Sequence, residues 1–288
     1  MVRALILGGG GSKGSWSTGV LRHLLGDLEK SYDLVVGVSS GAINAAFLSQ
    51  FPIGQEKLAI NTLSDMWLSL TNDKIYKKWK PFGKLHIAWK LGFFDSSPMK
   101  LLLQNSISVQ KIRNANRHVI VGAVSFTTGK YNNFDQTSDD FVSAVGASAS
   151  FPILFEPIKI GDQLFGDGGI KSISPIHTAI DFGATEVDAI VTSPETRDKK
   201  FIIKPNIMDI LKRSFDLYSD KIMSNDIEKA LIYNQLAKSG LTNKKEIKLN
   251  IIRPKFNLIE DMLDFTPSKI KTMMDIGYRD ASSANFLI

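Results

Sequence analysis

Ser39 stands in Gly37-Val38-Ser39-Ser40-Gly41, a match to G-x-S-x-G, the sharp turn that lifts a serine hydroxyl above a sheet edge because glycines on either side leave room for a strained backbone. Asp167 stands in Gly166-Asp167-Gly168-Gly169, a carboxylate left sterically open by its neighbours. A serine becomes a useful nucleophile when a base within about 3 Å takes its proton. The third feature is Gly8-Gly9-Gly10-Gly11-Ser12-Lys13-Gly14. Consecutive glycines let backbone N–H groups converge on one concavity at a helix N-terminus, which stabilises a phosphate or a tetrahedral oxyanion.

Each feature has an ordinary alternative. A chain with 22 glycines can match G-x-S-x-G by chance, and Asp-Gly is a common turn dipeptide. Gly9, Gly11 and Gly14 also satisfy G-x-G-x-x-G, a dinucleotide-binding turn, whereas Walker A fails because Ser12 precedes Lys13. A dinucleotide site expects an acid at the end of the next strand, yet that strand ends in Gly-Val-Ser-Ser-Gly and its one acid, Asp33, lies at its start. A Ser-His-Asp triad needs a histidine, and the only one after Asp167 is His177, just past Pro175, where a helix start is expected. His177 reads as a helix-start or surface residue; His23, within a first amphipathic helix, and His118, beside a strand, read as structural.

The elements that must position these groups follow from periodicity. Short apolar or β-branched runs predict strands at 2–7, 34–38, 118–124, 130–134, 163–165, 187–191 and 247–252. Helical spacing marks 16–25, 42–48, 139–147, 176–182 and 207–236, the last read as a packing helix. This alternation predicts an α/β fold of three layers, a mostly parallel central sheet flanked by helices. No repeat or long linker divides the chain, so a single domain over 1–288 is expected, with a helical insertion at 55–112 and a C-terminal helical extension at 197–288 carrying one strand.

Composition narrows the chemistry. The 288 residues, 43% hydrophobic and 22% charged, suit a globular chain and exclude a disordered tail, a collagen or a coiled coil. With no cysteine there are no disulfides, thiolate nucleophiles or sulfur-ligated zinc, and the four histidines lack metal-ligand spacing, so neither metal nor cofactor is expected. The net charge of +6 draws the chain toward anionic partners without choosing among them. No apolar run reaches the roughly 18 residues needed to span a bilayer, and the first strand lacks the length of a signal peptide. A cytoplasmic protein, peripheral on membrane at most, is the expectation, with export lacking a cleaved signal left open. The segment 74–94 carries six lysines, five Trp or Phe and no acid, a pattern that suits an anionic headgroup interface; a solvated insertion with its rings on the core is the alternative. No nucleic-acid signature accompanies it.

Together these blocks resemble the patatin-like phospholipases. The likeness runs through Gly9-Gly10-Gly11-Ser12-Lys13-Gly14, the turn at Ser39, Ala147-Ser148-Ala149-Ser150-Phe151-Pro152, Phe155-Glu156-Pro157 and Asp167-Gly168-Gly169 to Pro175 and Gly183-Ala184, in one order over about residues 3–192. Gly277-Tyr278 looks like the family's closing helix. The resemblance implies a patatin-like fold and a Ser39–Asp167 dyad without histidine, cleaving phospholipid or lysophospholipid esters through an acyl-serine. The oxyanion would be held by amides of Gly10, Gly11 and Ser12, with Lys13 near the site or capping the loop. One departure is that Ser172 and Ile173 stand where the family usually has asparagines after its Asp-Gly-Gly turn. The alternative from another class is a silent module that binds lipid or nucleotide on the same fold.

Overall fold

The computed structural model of the chain describes residues 1–79, 90–195, 207–241, 245–258 and 261–283. Part of the basic-aromatic segment, including Lys80, Phe82, Lys84, His86 and Trp89, lies outside the described residues.

β1 (Arg3–Leu7) leads through the glycine loop and a 3-10 turn (Gly11–Lys13) into α1 (Gly14–Leu21), which continues as a π-type run over Arg22–Asp27. β2 (Leu34–Val38) and α2 (Ser40–Leu48) follow. Between α2 and the next long strand lie α3 (Glu56–Leu68), α4 (Asn72–Ile75), β3 (Lys77–Lys78), β4 (Gly92–Asp95), α5 (Ser97–Ser106) and α6 (Val109–Asn114). Next come β5 (His118–Ser125), β6 (Tyr131–Asp135), α7 (Phe141–Ser148), β7 (Ile153–Phe155), β8 (Ile158–Ile160) and β9 (Gln163–Asp167). α8 (Ile176–Asp181), β10 (Glu186–Ile190), α9 (Ile207–Lys238), β11 (Lys248–Ile252) and α10 (Pro267–Ser282) complete the order.

β11, β10, β1, β2 and β5 lie side by side and parallel; β6 pairs antiparallel with the far flank of β5, while β9 pairs antiparallel with the end of β5 past β2 and carries β8, antiparallel to it. Alternate residues of each strand enter opposite layers. Leu5, Leu7, Val35, Val119 and Val121 pack under α1, α2, α3, α7 and α10, whereas Ala4, Ile6, Leu34, Val36 and Ile120 pack under α8 and α9. Strands covered on both faces read as continuous apolar runs, which is why their ends were visible in the sequence.

Three features differ from the periodic reading. α1 is buried on every side rather than amphipathic, because it lies between the sheet and α10. The stretch 55–112, expected to be helical, also holds β3 and β4, which form a small second sheet with β7. β7 and β8, three residues each, are too short to leave a pattern. No helix among the described residues is long and apolar enough to cross a membrane.

Candidate active site

The glycine loop after β1, the turn after β2 and the segment after β10 all open at the carboxyl ends of parallel strands. β1 lies between β2 and β10 there, the point at which an open α/β sheet forms a crevice. Sheet register explains how two residues far apart in sequence meet in this crevice. β6 covers one flank of β5 over Ile120–Val124. On the other flank β2 ends with Val38 opposite Gly122, and β9, arriving antiparallel, ends with Asp167 opposite Ala123. The residue after Val38 therefore faces the last residue of β9, which brings the Ser39 hydroxyl near enough to the Asp167 carboxyl to favour its ionised form.

Ser39 adopts φ 57° and ψ −129°, a conformation rare for a residue with a side chain. Its N–H donates to Ser148 Oγ (2.9 Å), whose own hydroxyl donates to the Gly122 carbonyl (2.6 Å). Its carbonyl accepts the Ala42 N–H (2.9 Å) as α2 begins, so the positive end of that helix lies beside the hydroxyl. The turn closes because Gly37 and Gly41 lack side chains: a methyl on Gly37 would collide with the Gly41 carbonyl, and one on Gly41 with the Leu7 carbonyl.

Asp167 is 1% exposed. Its Oδ1 accepts the Gly169 N–H (2.7 Å), while Gly168 lies against the Gly122 carbonyl. Burial disfavours the ionised form and pushes the carboxyl up to about 7, although the Gly169 amide and the Ser39 hydroxyl pull the other way.

The glycine loop is fastened at several points. The Gly8 N–H donates to the Ile190 carbonyl (2.9 Å), the Gly9 N–H to the Ile173 carbonyl (3.3 Å) and the Lys13 N–H to the Gly10 carbonyl (3.2 Å). The Thr192 hydroxyl donates to the Gly9 carbonyl (2.5 Å), and the Gly14 carbonyl accepts from Asn44 Nδ2 (3.1 Å). The expectation that Ser12 joins the oxyanion cradle is corrected: its N–H donates to the Met262 carbonyl (2.8 Å), and the residue is buried under that strand of chain. Gly10 and Gly11 remain the two loop amides without an internal acceptor among the described residues, and both line the cleft beside Ser39. Lys13 lines it as well.

The cleft is mostly apolar. Met66, Trp67, Leu70, Met99, Leu102 and Phe155 wall one side, and Met262, Leu263 and Phe265 close over it. Trp67 is fixed by donating to Asn44 Oδ1 (2.7 Å) and by stacking on Phe265. The roof is tied down by Tyr76 Oη donating to the Leu263 carbonyl (3.1 Å) and the Phe265 N–H donating to Asn72 Oδ1 (2.7 Å). None of the three described histidines lines the cleft: His23 pairs with Asp27, His118 with Gln136, and His177 is exposed on α8.

Sequence reasoning missed three contributors. Ser148 figured only within the Ala147–Pro152 block of the family likeness and was given no role. The 261–265 roof has no motif. α9, read as packing alone, also lends Asp216, Ser219 and Met223 to the cleft wall, because a 32-residue helix is longer than the sheet face it covers.

Comparison with known proteins agrees with this geometry. The chain is 25% identical over 268 residues to a probable lipid hydrolase, 463L, of Invertebrate iridescent virus 6, covering 87% of this chain and 92% of the viral one. It is 23% identical to a cGAMP-activated phospholipase of Escherichia coli, over 72% of this chain and 65% of that protein. It is 24% identical to the rat calcium-independent phospholipase A2-gamma, over 62% of this chain but only 26% of that larger protein. Among solved structures, VipD from Legionella pneumophila shares the fold, with a TM-score of 0.51 over 98% of this chain and 66% of that one at 14% identity. The patatin-like phospholipase family model matches residues 5–180, from β1 through the Ser39 turn and the Asp167 turn into α8. By that match the chain belongs to the patatin-like phospholipase family.

Proposed function

We propose that the protein is a lipid acyl hydrolase that cleaves carboxylic esters of phospholipids or lysophospholipids. The Asp167 carboxylate takes the Ser39 proton as the hydroxyl attacks the ester carbonyl. The amides of Gly10 and Gly11 hold the oxyanion, each such donor contributing roughly 3 to 4 kcal/mol in comparable sites. Loss of the alcohol leaves an acyl-serine, and the same carboxylate, now protonated, first gives its proton to the departing alkoxide. It then takes one from the water that releases the acid. The apolar cleft under Met262 and Phe265 accommodates the acyl chain.

One observation carries this reading: a serine held at positive φ and a buried carboxyl raised to about 7 lie beside each other and line the same apolar cleft. A base ionising near the working pH combines availability with driving force. Lys77, Lys78, Trp79 and Lys90 line a groove that Asp73 and Asp95 also enter, leaving it net positive, and Leu91 next to Lys90 is 65% exposed. This surface supports peripheral contact with anionic membrane.

The experiment is a phospholipid and lysophospholipid panel read by mass spectrometry, with Ser39→Ala and Asp167→Asn as controls. Release of fatty acid by the wild type and its loss in both variants is expected. Turnover that survives either substitution refutes the dyad, and absence of turnover across the panel favours the silent binding module.

A further inference from the structure

Asp226 lies on α9, outside the part of the chain that the family model matches, and is 5% exposed. One oxygen, Oδ2, accepts three hydrogen bonds: from Ser172 Oγ (3.1 Å), the Ile173 N–H (2.9 Å) and the Ser174 N–H (2.9 Å). Bonds to an ionised acceptor are about twice as strong as neutral ones, and a buried carboxylate needs them. The turn so held touches both halves of the site. On one side it continues the Asp167 turn, with the N–H groups of Lys171 and Ser172 donating to the Gly168 carbonyl (3.0 and 3.1 Å). On the other side the Ile173 carbonyl accepts the Gly9 N–H, and the Ile173 side chain lines the cleft. This turn is thus a shared support for the base and for the oxyanion loop.

We infer that Asp226 is a positioning residue for the ester-cleaving site: by fixing the 172–174 turn it sets the Gly9–Gly11 amides and the Asp167 carboxylate at their working separation. The inference rests on the acyl hydrolase reading above. The simpler role, a peg that merely docks α9, is separable because α9 is also docked by apolar side chains such as Ile227, which packs with the sheet face and makes none of these bonds.

The test uses the full chain as wild type, Asp226→Ala, Asp226→Asn and Ile227→Ala, with kcat and KM on a soluble short-chain nitrophenyl ester and amide hydrogen exchange over residues 8–13 and 168–174. Displacement by a fraction of an ångström at a reacting centre costs on the order of 10- to 100-fold in rate. Asp226→Ala is expected to lose that factor in kcat with KM within twofold, and to exchange faster in both segments. Asp226→Asn, whose carbonyl oxygen can accept the same three bonds, is expected to recover kcat to within about threefold. Ile227→Ala, though less stable, keeps wild-type kcat and wild-type exchange in the loop. Any other pattern overturns the inference, in particular equal kcat losses in Asp226→Ala and Ile227→Ala. Should Asp226→Ala not fold, Asp226→Glu decides: the longer side chain keeps the charge but cannot offer one oxygen to all three donors, so full activity there overturns the proposal and a matching kcat loss supports it. If the wild type hydrolyses no ester, the functional reading fails while exchange still decides the role of Asp226. If wild type and Asp226→Ala hydrolyse equally, this inference alone fails.

Discussion

Raising the pH through neutrality is expected to weaken the fold and activate the chemistry together, because both follow ionisation of Asp167. Below about pH 4 the carboxyl is protonated in the folded and unfolded chains alike. Between about 4 and 7 the unfolded chain releases the proton and the folded chain keeps it, so stability falls as pH rises, and above about 7 the loss is complete. Elevation from an ordinary 3.8 to about 7 at ~1.4 kcal/mol per pH unit amounts to about 4 kcal/mol, an order-of-magnitude figure for a fully buried group. Asp226, also raised by burial, adds to the trend, whereas Asp264, Asp73 and Asp27 are lowered and oppose it in a more acidic range. The clean quantity is therefore the stability gap between wild type and Asp167→Asn, since the amide does not titrate. Urea unfolding followed by tryptophan fluorescence at several pH values should show Asp167→Asn gaining on wild type by about 4 kcal/mol between roughly pH 4 and 8. In the same interval kcat/KM of wild type on a soluble ester should rise to a plateau with a midpoint near 7, as the free enzyme's base ionises. A gap that stays constant within about 1 kcal/mol, or an acid limb near pH 4, would refute the reasoning, for it would mean that the carboxyl is ionised and solvated as an ordinary aspartate.

Other substitutions probe the supports. Ser148→Ala leaves the Ser39 N–H and the Gly122 carbonyl without their shared partner, a loss of about 1 to 3 kcal/mol; fluorophosphonate labelling of Ser39 should slow at least tenfold, and an unchanged rate would show that the turn holds itself. Gly41→Ala drives a methyl into the Leu7 carbonyl and should lower the melting temperature by several degrees, at roughly 1 to 3 kcal/mol for overpacking; a melting temperature equal to wild type would mean that the two chains separate freely. Leu102→Trp fills the cleft, so the ratio of kcat/KM for butyrate over decanoate nitrophenyl esters should rise by an order of magnitude, and a constant ratio would remove the cleft as the acyl site. Lys77→Glu with Lys78→Glu should cut sedimentation with anionic vesicles at least tenfold and leave neutral vesicles unaffected. Equal binding would dismiss the insertion as the membrane contact.

Much of the site was legible because its parts are local. Glycines at 37 and 41 declare a tight turn, and β2 and α2 on either side are apolar enough to be read as strand and buried helix. The meeting of Ser39 with Asp167 was legible only through family resemblance, since it depends on β9 following β2 along the same flank of β5, a matter of register that no residue spells out. Ser12 illustrates the limit: its amide belongs to the glycine loop in sequence but to Met262 in space. Ser172 and Ile173 mark a departure from the family pattern, yet nothing in their neighbourhood says that a carboxylate more than fifty residues on supplies the missing hydrogen bonding. β3, β4, β7 and β8 were hidden by their shortness.

The pairing of α1 with α10 has a temporal consequence. The two helices touch main chain to main chain: a methyl on Gly19 would strike the Met274 carbonyl, and one on Gly277 the Trp16 carbonyl, while Trp16 Nε1 donates to Asp280 Oδ2 (2.9 Å). α1 starts at Gly14, immediately after the glycine loop that lines the cleft with Ser39. A ribosome that has already delivered Ser39, Asp167 and the glycine loop must still make the stretch through Ser282 before that buried helix gains its last wall. A nascent chain thus completes its core only when synthesis is well advanced, and a chain stopped before Pro267 should aggregate and show no cooperative thermal unfolding.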